Sequence, residues 1–117
     1  MNYIIAAGLK KPFLKEMNKK NHLTAYDIIK TVSKFTLIPV DLIMSKRRSA
    51  EIVMARHISI YLIRNKFRYK YSLLEVSRLV GQDSHATALN SIKAVNNRVD
   101  TDSKFQLDIT QLTNLIS

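Results

Sequence analysis

The chain has 117 residues, of which 46% are hydrophobic, so it is long enough to fold one domain around a core. It has no cysteine, which excludes disulfides and thiolate metal sites, and its two glycines and two prolines disfavour turn-rich β architectures. Nineteen Lys and Arg against nine Asp and Glu give a net charge of +10. This excess predicts a polyanionic partner, with nucleic acid ahead of an anionic membrane. A soluble basic protein without such a partner is the alternative.

Residues 1–22 are expected to form a basic N-terminal arm, and residues 23–117 the folded domain. The arm contains KKPFLKEMNKKN and has no long periodic apolar face. Its apolar start precedes the basic residues, which is the reverse of a secretory signal, and no run of the chain reaches transmembrane length. We therefore expect a cytoplasmic protein without a membrane partner.

Apolar residues at helical spacing predict an all-α fold, a compact bundle of about five to six helices. The first helix is expected to begin after Thr24, a plausible N-cap, and to end before Pro39. A short second helix covers PVDLIMS, and the basic stretch SKRRS follows it as a loop. A longer third helix is predicted from about Ala50 to about Phe67.

The next two helices are separated by a glycine. Ser72 is expected to cap SLLEVSRLV, with Glu75 at the capping-box position, and Gly81 is expected to end that helix. Either Asp83 or Ser84 caps the helix that follows. A short helix, a glycine-containing turn and a second helix with a polar start are the layout of a helix-turn-helix.

A final helix over about 103–116 closes the predicted bundle. The apolar residues expected to face the core are spaced three and four apart along the helices. They are Ile28, Ile29, Val32, Phe35, Val40, Ile43, Met44, Ile52, Val53, Ile60, Ile63, Leu73, Val76, Leu79, Val80, Ala88, Leu89, Ile92, Val95, Val99, Phe105, Leu107, Ile109, Leu112, Leu115 and Ile116.

The positive charge is concentrated in the middle of the chain. Between positions 46 and 70 there are eight basic residues and one acidic residue, Glu51. The segment RNKFRYKY, at the end of the third helix, alternates basic and aromatic residues. Its aromatic rings either pack against the core at a helix end or stack on bases, and the sequence leaves both interpretations open.

The sequence shows no arrangement of residues typical of an enzyme. The three histidines, His22, His57 and His85, form none of the spaced ligand pairs of zinc enzymes, and no close carboxylate pair indicates a nuclease-like metal site. The neighbours Ser84 and His85 do not make a catalytic couple by adjacency, because a triad also needs an orienting acid. We expect no catalysis, no metal and no cofactor.

Several motifs in order carry a resemblance to a known family. The stretches VSKFTLIPVDLIMSKRRSAEIVMARHISIYLIR and YSLLEVSRLVG, followed by SHATAL, resemble the C-terminal DNA-binding domain of the bacterial replication initiator DnaA. SHATAL is an altered form of that family's D-H-T-T-V-L signature. The similarity covers about residues 24–117. It implies an all-helical domain that binds double-stranded DNA, as a monomer on each site.

The resemblance also implies roles for individual residues. In that family, the signature helix enters the major groove and the basic loop places an arginine in the minor groove. Matching positions here predict base reading by His85, Thr87 and Arg48, and Ser84, just before that histidine, is predicted to read bases as well. Asn90 and Lys93 lie on the same outward side of the predicted helix, so they are expected to meet a base or a phosphate. The predicted phosphate contacts are Lys46, Arg47, Ser49, Arg56, Arg64, Lys66 and Lys93.

Three of these assignments have structural alternatives. Arg48 could be a solvated charge of the loop. His85 could simply satisfy local hydrogen bonds at a helix start. Arg56, one turn inside the third helix, either reaches a phosphate or pairs with Glu51 or Glu75.

The sequence also departs from the family pattern. Asp83 and Ser84 stand where the family has Arg-Asp, Ala86 replaces the first Thr of the signature, and the segment NKFRYKY is about two residues longer than usual. Nothing in the sequence resembles the ATPase module of the initiator, and the nucleotide-binding motif G-x-x-x-x-G-K-[ST] is absent. The altered signature means that this chain need not bind the usual DNA site of the family.

The resemblance leads to a ranked set of functions. Sequence-specific binding of duplex DNA in replication initiation or its control comes first, at the nucleoid and with other replication proteins as further candidate partners. A transcriptional regulator, or a competitor for initiator sites, is the second interpretation. The third is a protein-interaction module whose basic face binds an acidic partner.

Overall fold

The computed structural model describes residues 23–117, and within them it forms six α-helices and no strand. The helices are α1 (Ala25–Thr36), α2 (Val40–Ile43), α3 (Ala50–Lys66), α4 (Leu73–Leu79), α5 (His85–Thr101) and α6 (Ser103–Ile116). The all-α prediction is therefore confirmed. The predicted arm, residues 1–22, lies outside the described residues, so the proposed domain boundary stays a prediction.

Local sequence chemistry sets the helix starts. The hydroxyls of Thr24 and Ser72 each accept a hydrogen bond from the backbone N–H three residues later. In turn, the carboxylates of Asp27 and Glu75 accept a hydrogen bond from the backbone N–H of the cap residue. These are complete capping boxes, which satisfy backbone donors that the first helical turn leaves unpaired. Asp102 caps α6 by accepting from the N–H of Phe105, at 3.1 Å.

Helix α3 is the centre of the bundle. It packs against α1 and α5 and also touches α2 and α4, while α6 closes the structure against α1 and α5. Because α3 is surrounded on several sides, it buries eight of its 17 residues. The fully buried side chains at its middle are mostly β-branched or leucine: Ile60, Leu62 and Ile63 are at most 1% exposed. This helix therefore helps to set the positions of α1, α2, α4 and α5.

For two residues, the prediction of a core position is wrong. Leu89 is 46% exposed and Leu107 is 64% exposed. The buried stripe of α5 runs through Ala88, Ser91 and Val95, so Leu89 is turned about 100° away from it. In α6 the buried residues are Phe105, Ile109, Leu112 and Ile116, and Leu107 lies on the opposite side of that helix. Val53 is only half-buried.

Two residues adopt the left-handed conformation, Leu37 with φ 64° and Gly81 with φ 79°. Leu37 is the C-cap of α1, where glycine is usual, and its side chain is 67% exposed. At Gly81 a Cβ atom would overlap the backbone carbonyl of Met44. Gly81 is therefore required for two independent reasons, its conformation and the close approach of the loop after α2.

These two positions predict opposite effects on stability. Gly81→Ala should lower the free energy of unfolding by at least about 2 kcal/mol, because left-handed strain adds to the overlap with Met44. Leu37→Gly should raise it by about 0.5 kcal/mol, since strain is relieved and little packing is lost. Urea denaturation of both variants measures the difference. A Gly81→Ala variant as stable as the parent would show that the Met44 contact is not formed.

Candidate nucleic-acid interface

The turn of the helix-turn-helix is held by short polar contacts. Ser84 is the N-cap of α5, and its hydroxyl accepts from the N–H of Thr87 at 3.3 Å. Its own N–H donates to the hydroxyl of Ser77, a fully buried residue of α4, at 3.2 Å. Asp83 instead forms an exposed ion pair with Arg78, at 2.8 Å. Of the two predicted caps, Ser84 is therefore the one that forms.

The exposed face of α5 begins at its first residue. His85, Ala86, Leu89, Asn90 and Lys93 are all exposed, and they are neighbours because their spacings are three or four residues. This face combines an imidazole, an amide, an ammonium group and two apolar side chains. It is thus suited to contact both hydrogen-bonding groups and methyl groups of a partner.

The other base-reading residues predicted on α5 are less accessible. Thr87 is half-buried, at the edge of the exposed face. Ser84 is also half-buried, and its hydroxyl accepts the hydrogen bond that caps α5. The structure therefore places His85 and Asn90 on the same exposed face of α5, with Thr87 at its edge. Leu89 and Ala86 join this face although the sequence had not assigned them to it.

The basic loop, residues 45–49, is supported from below by Arg56. The guanidinium group donates from Nε to the carbonyl of Ile43 at 2.8 Å, and from one terminal nitrogen to the carbonyls of Leu42 (3.4 Å) and Arg47 (2.9 Å). These carbonyls belong to α2 and to the loop itself. One side chain therefore ends α2 and sets the path of the loop toward Arg48, which is exposed.

This position corrects the expectation for Arg56. The residue is only 6% exposed, and within residues 23–117 it forms no ion pair with Glu51 or Glu75. Burial and the nearby charge of Arg48 lower the pKa of its guanidinium from the ordinary value, although it remains charged. Its Nε and one terminal nitrogen donate to backbone carbonyls, so it supports the loop, and its predicted phosphate contact stays a prediction. The signal was present in the sequence, because Ile52, Arg56 and Ile60 repeat every fourth position.

The basic loop is also bonded to the turn of the helix-turn-helix. The ammonium group of Lys46 donates to the carbonyl of Gly81 at 2.8 Å, and the side-chain amide of Gln82 donates to the carbonyl of Ser45 at 2.9 Å. With the close approach at Met44, these contacts join the loop to the start of α5. Sequence reasoning missed Gln82, whose role depends on residues that lie 37 positions apart.

A polar contact lies between α3 and α5. Nδ1 of His57 and the hydroxyl of Ser91 share a hydrogen bond of 2.7 Å, and Ser91 is fully buried. Burial, and then the charge of Arg56, lower the pKa of His57 from 6.5. The neutral imidazole is therefore the form that the folded protein favours.

Further basic residues lie at the other end of α3. Arg64 is half-buried and donates from its guanidinium to the carbonyl of Tyr71 at 3.1 Å, whereas Lys66 is exposed. Arg47 and Ser49 are exposed in the basic loop. The structure thus places the predicted phosphate contacts at two ends of α3 and on α5.

Comparison with known families agrees with this arrangement. Residues 25–95 match the family model described as the bacterial DnaA protein helix-turn-helix. The match runs from α1 into α5 and includes both the basic loop and the turn.

The chain belongs to the bacterial DnaA helix-turn-helix family.

A helix-turn-helix is a DNA-binding motif, and its second helix in this chain is α5. The expectation of a non-catalytic domain agrees with the DnaA helix-turn-helix family, which is defined by this motif.

Among residues 23–117 no group of three or more acidic or histidine side chains is arranged to hold a metal ion. No helix in that part of the chain is long and apolar enough to cross a membrane.

Curated DnaA relatives share this region. The chromosomal replication initiator protein DnaA of Nautilia profundicola is 36% identical over 114 residues, which are 96% of this chain and 26% of that protein. The same-named protein of Bacteroides thetaiotaomicron is 30% identical over 99 residues, 85% of this chain and 21% of that protein. The chain therefore spans about a fifth to a quarter of the length of these DnaA relatives.

Replacement of Arg56 tests its role as a support. Arg56→Lys should lower the free energy of unfolding by about 2 kcal/mol, because a lysine cannot donate to all three carbonyls and leaves buried acceptors unpaired. The exposed Arg48→Lys is the control and should change it by less than about 0.5 kcal/mol. Equal effects in chemical denaturation would show that Arg56 has no special structural role.

His57 predicts a loss of stability on mild acidification. Because its pKa is lowered in the folded state, stability is fully present above about pH 6.5 and decreases as the pH falls toward the folded-state pKa. Thermal unfolding between about pH 7.5 and pH 5.5 should show this decrease, and His57→Gln should reduce it. The pKa values of three carboxyl groups are lowered from 3.8, so their effect on stability falls at more acidic pH. They belong to Asp27, Asp83 and Asp102.

The control for this titration is His85→Gln, at an exposed histidine of α5. Its pH profile should follow that of the parent protein. A profile that flattens with His85→Gln and not with His57→Gln would contradict the assignment of the pH dependence to the buried contact with Ser91.

Proposed function

We propose that this chain binds duplex DNA in a sequence-specific manner, in replication initiation or its control. The observation that carries the proposal is the bonded unit of basic loop and turn, which holds Arg48 and His85 in fixed relation on exposed segments. In the proposed complex α5 lies in the major groove and the basic loop faces the adjacent minor groove. The net charge of +10 and the family both support a DNA partner.

Base reading in this proposal depends on the exposed face of α5. The ring of His85 can contact a thymine methyl or a purine acceptor, and the amide of Asn90 matches the donor and acceptor pair of adenine. Leu89 and Ala86 offer apolar surface to thymine methyl groups. Thr87 is left for a contact at the edge of the face, and Ser84 chiefly sets the start of the helix.

The remaining basic residues divide into two tasks. Arg48 is exposed at the end of the supported loop, and a narrow minor groove concentrates the negative potential that attracts such a side chain. Phosphate contacts are assigned to residues that keep a free donor or lie exposed beside these elements. They are Lys46, Arg47, Ser49, Arg64, Lys66 and Lys93.

The biological setting is proposed from the relatives. These relatives are chromosomal replication initiator proteins, which favours a role at an origin and a location at the cytoplasmic nucleoid. We propose one monomer on each DNA site, and other replication proteins as further partners. A transcriptional regulator or competitor for initiator sites is the second candidate, since Ala86 and Ser84 alter the signature that the family uses.

Selection from random duplexes distinguishes these functions. An enriched motif that matches initiator sites supports the role in replication or competition, whereas an unrelated enriched motif supports regulation elsewhere. Binding without any enriched motif would contradict a sequence-specific reader. If the protein binds no duplex and captures an acidic protein instead, its basic face is a protein-interaction surface.

The proposed interface predicts a division between base and phosphate contacts. His85→Ala should reduce the preference at one or two base positions by about 1–3 kcal/mol, whereas Lys66→Ala should weaken all sequences similarly and flatten the salt dependence. With about six phosphates neutralised, affinity should fall roughly a thousandfold between 50 and 200 mM salt. Quantitative titrations on matched and scrambled duplexes measure both effects. Identical behaviour of the two variants would contradict the assignment of α5.

A further inference from the structure

The segment between α3 and α4 has a defined shape. It turns tightly at residues 67–71, where the N–H of Lys70 donates to the carbonyl of Phe67 at 3.0 Å. Arg64 fixes its far end by donating to the carbonyl of Tyr71. Residues 67–71 therefore form a loop of defined shape, which we call the aromatic loop.

The aromatic loop separates its three rings. Phe67 and Tyr71 pack against the hydrophobic core and meet edge to face, with ring centroids 5.8 Å apart. Tyr69 lies between them in sequence and is 96% exposed. Core packing thus accounts for two of the aromatic residues, and the third has both faces of its ring in solvent.

The charges around Tyr69 are unopposed. No acidic residue occurs between Glu51 and Glu75 in the sequence. Within residues 23–117, neither Lys66 nor Arg68 forms an ion pair. Residues 65–70 line an open surface concavity of about 560 Å³, in the size range of small-ligand clefts.

Tyr26, the other exposed tyrosine among residues 23–117, has a different charge environment from Tyr69. Tyr26 is 53% exposed and also has a lysine nearby, with the ammonium group of Lys30 5.2 Å from the ring centroid. That lysine, however, forms an ion pair with Asp27 at 3.4 Å. The charge next to Tyr26 is therefore compensated, while the charge next to Tyr69 is available to a phosphate.

We propose that the aromatic loop binds single-stranded nucleic acid, with an unpaired base stacked on Tyr69 and the adjoining phosphates at Arg68 and Lys66. A free aromatic face among cations is the arrangement that holds single strands, because every base presents a π-face and every linkage a negative charge. A duplex does not fit this arrangement as well, since its bases are already stacked on each other.

The proposed site shares Lys66 with the phosphate contacts assigned to duplex DNA but lies away from the base-reading residues. Helix α3 has 17 residues, so at a rise of about 1.5 Å per residue its two ends lie about 25 Å apart. The basic loop is at one end and the aromatic loop at the other. A strand held at Tyr69 therefore leaves the exposed face of α5 and Arg48 unoccupied.

Binding of a fluorescent deoxythymidylate oligomer to the full chain tests the proposal. Tyr69→Ala should weaken binding by about tenfold or more, whereas Tyr69→Phe, which keeps the ring, should bind like the parent. Tyr26→Ala is the matched control and should also bind like the parent. A parallel titration with a uridylate oligomer identifies whether DNA or RNA is the preferred strand.

Two outcomes would overturn the proposal. One is an unchanged affinity of Tyr69→Ala for both oligomers, and the other is an equal loss in Tyr69→Ala and Tyr26→Ala. Duplex titrations keep this result distinct from the proposed duplex function, because Tyr69→Ala should retain duplex selectivity and His85→Ala should retain binding of the oligomer. Since Tyr69 is almost fully exposed, the variant is expected to fold, and its melting temperature verifies this.

Discussion

The buried guanidinium of Arg56 is the interaction on which the arrangement of the interface depends. Its bonds to carbonyls of α2 and of the basic loop convert an exposed, highly charged segment into one with a fixed path. A charge in this position is costly unless its donors are satisfied, and here the satisfying groups are backbone carbonyls. The loop can therefore be rich in arginine on its outside because one arginine is used on its inside.

The turn after α4 depends on that same support. Lys46 and Gln82 connect the loop and the turn in both directions, and Gly81 permits the contact by having no side chain. The N–H of Ser84 donates to Ser77 of α4, so the basic loop, the turn and the start of α5 are linked through hydrogen bonds. Displacement of any one of them is therefore expected to move the exposed face of α5.

Much of this molecule could be predicted from local patterns. The capping boxes at Thr24 and Ser72, the end of α4 at Gly81 and the helix-turn-helix follow from short-range rules, and the structure agrees. The errors at Leu89 and Leu107 arose because an apolar residue next to a core stripe was assigned to it. The spacing of Arg56 with Ile52 and Ile60 indicates burial, but the side-chain pattern does not identify its partners, because they are backbone carbonyls.

The aromatic loop and the turn at Gly81 differ in how much change in chain length they can accept. At the aromatic loop, Ser72 starts α4 with its own capping box and Tyr69 contacts little else, so additional residues can be accommodated without moving either helix. At Gly81 an added atom already meets Met44, and the hydrogen bonds on both sides define the number of residues. Insertions and deletions among relatives should therefore accumulate beside Tyr69, while the turn keeps a constant length.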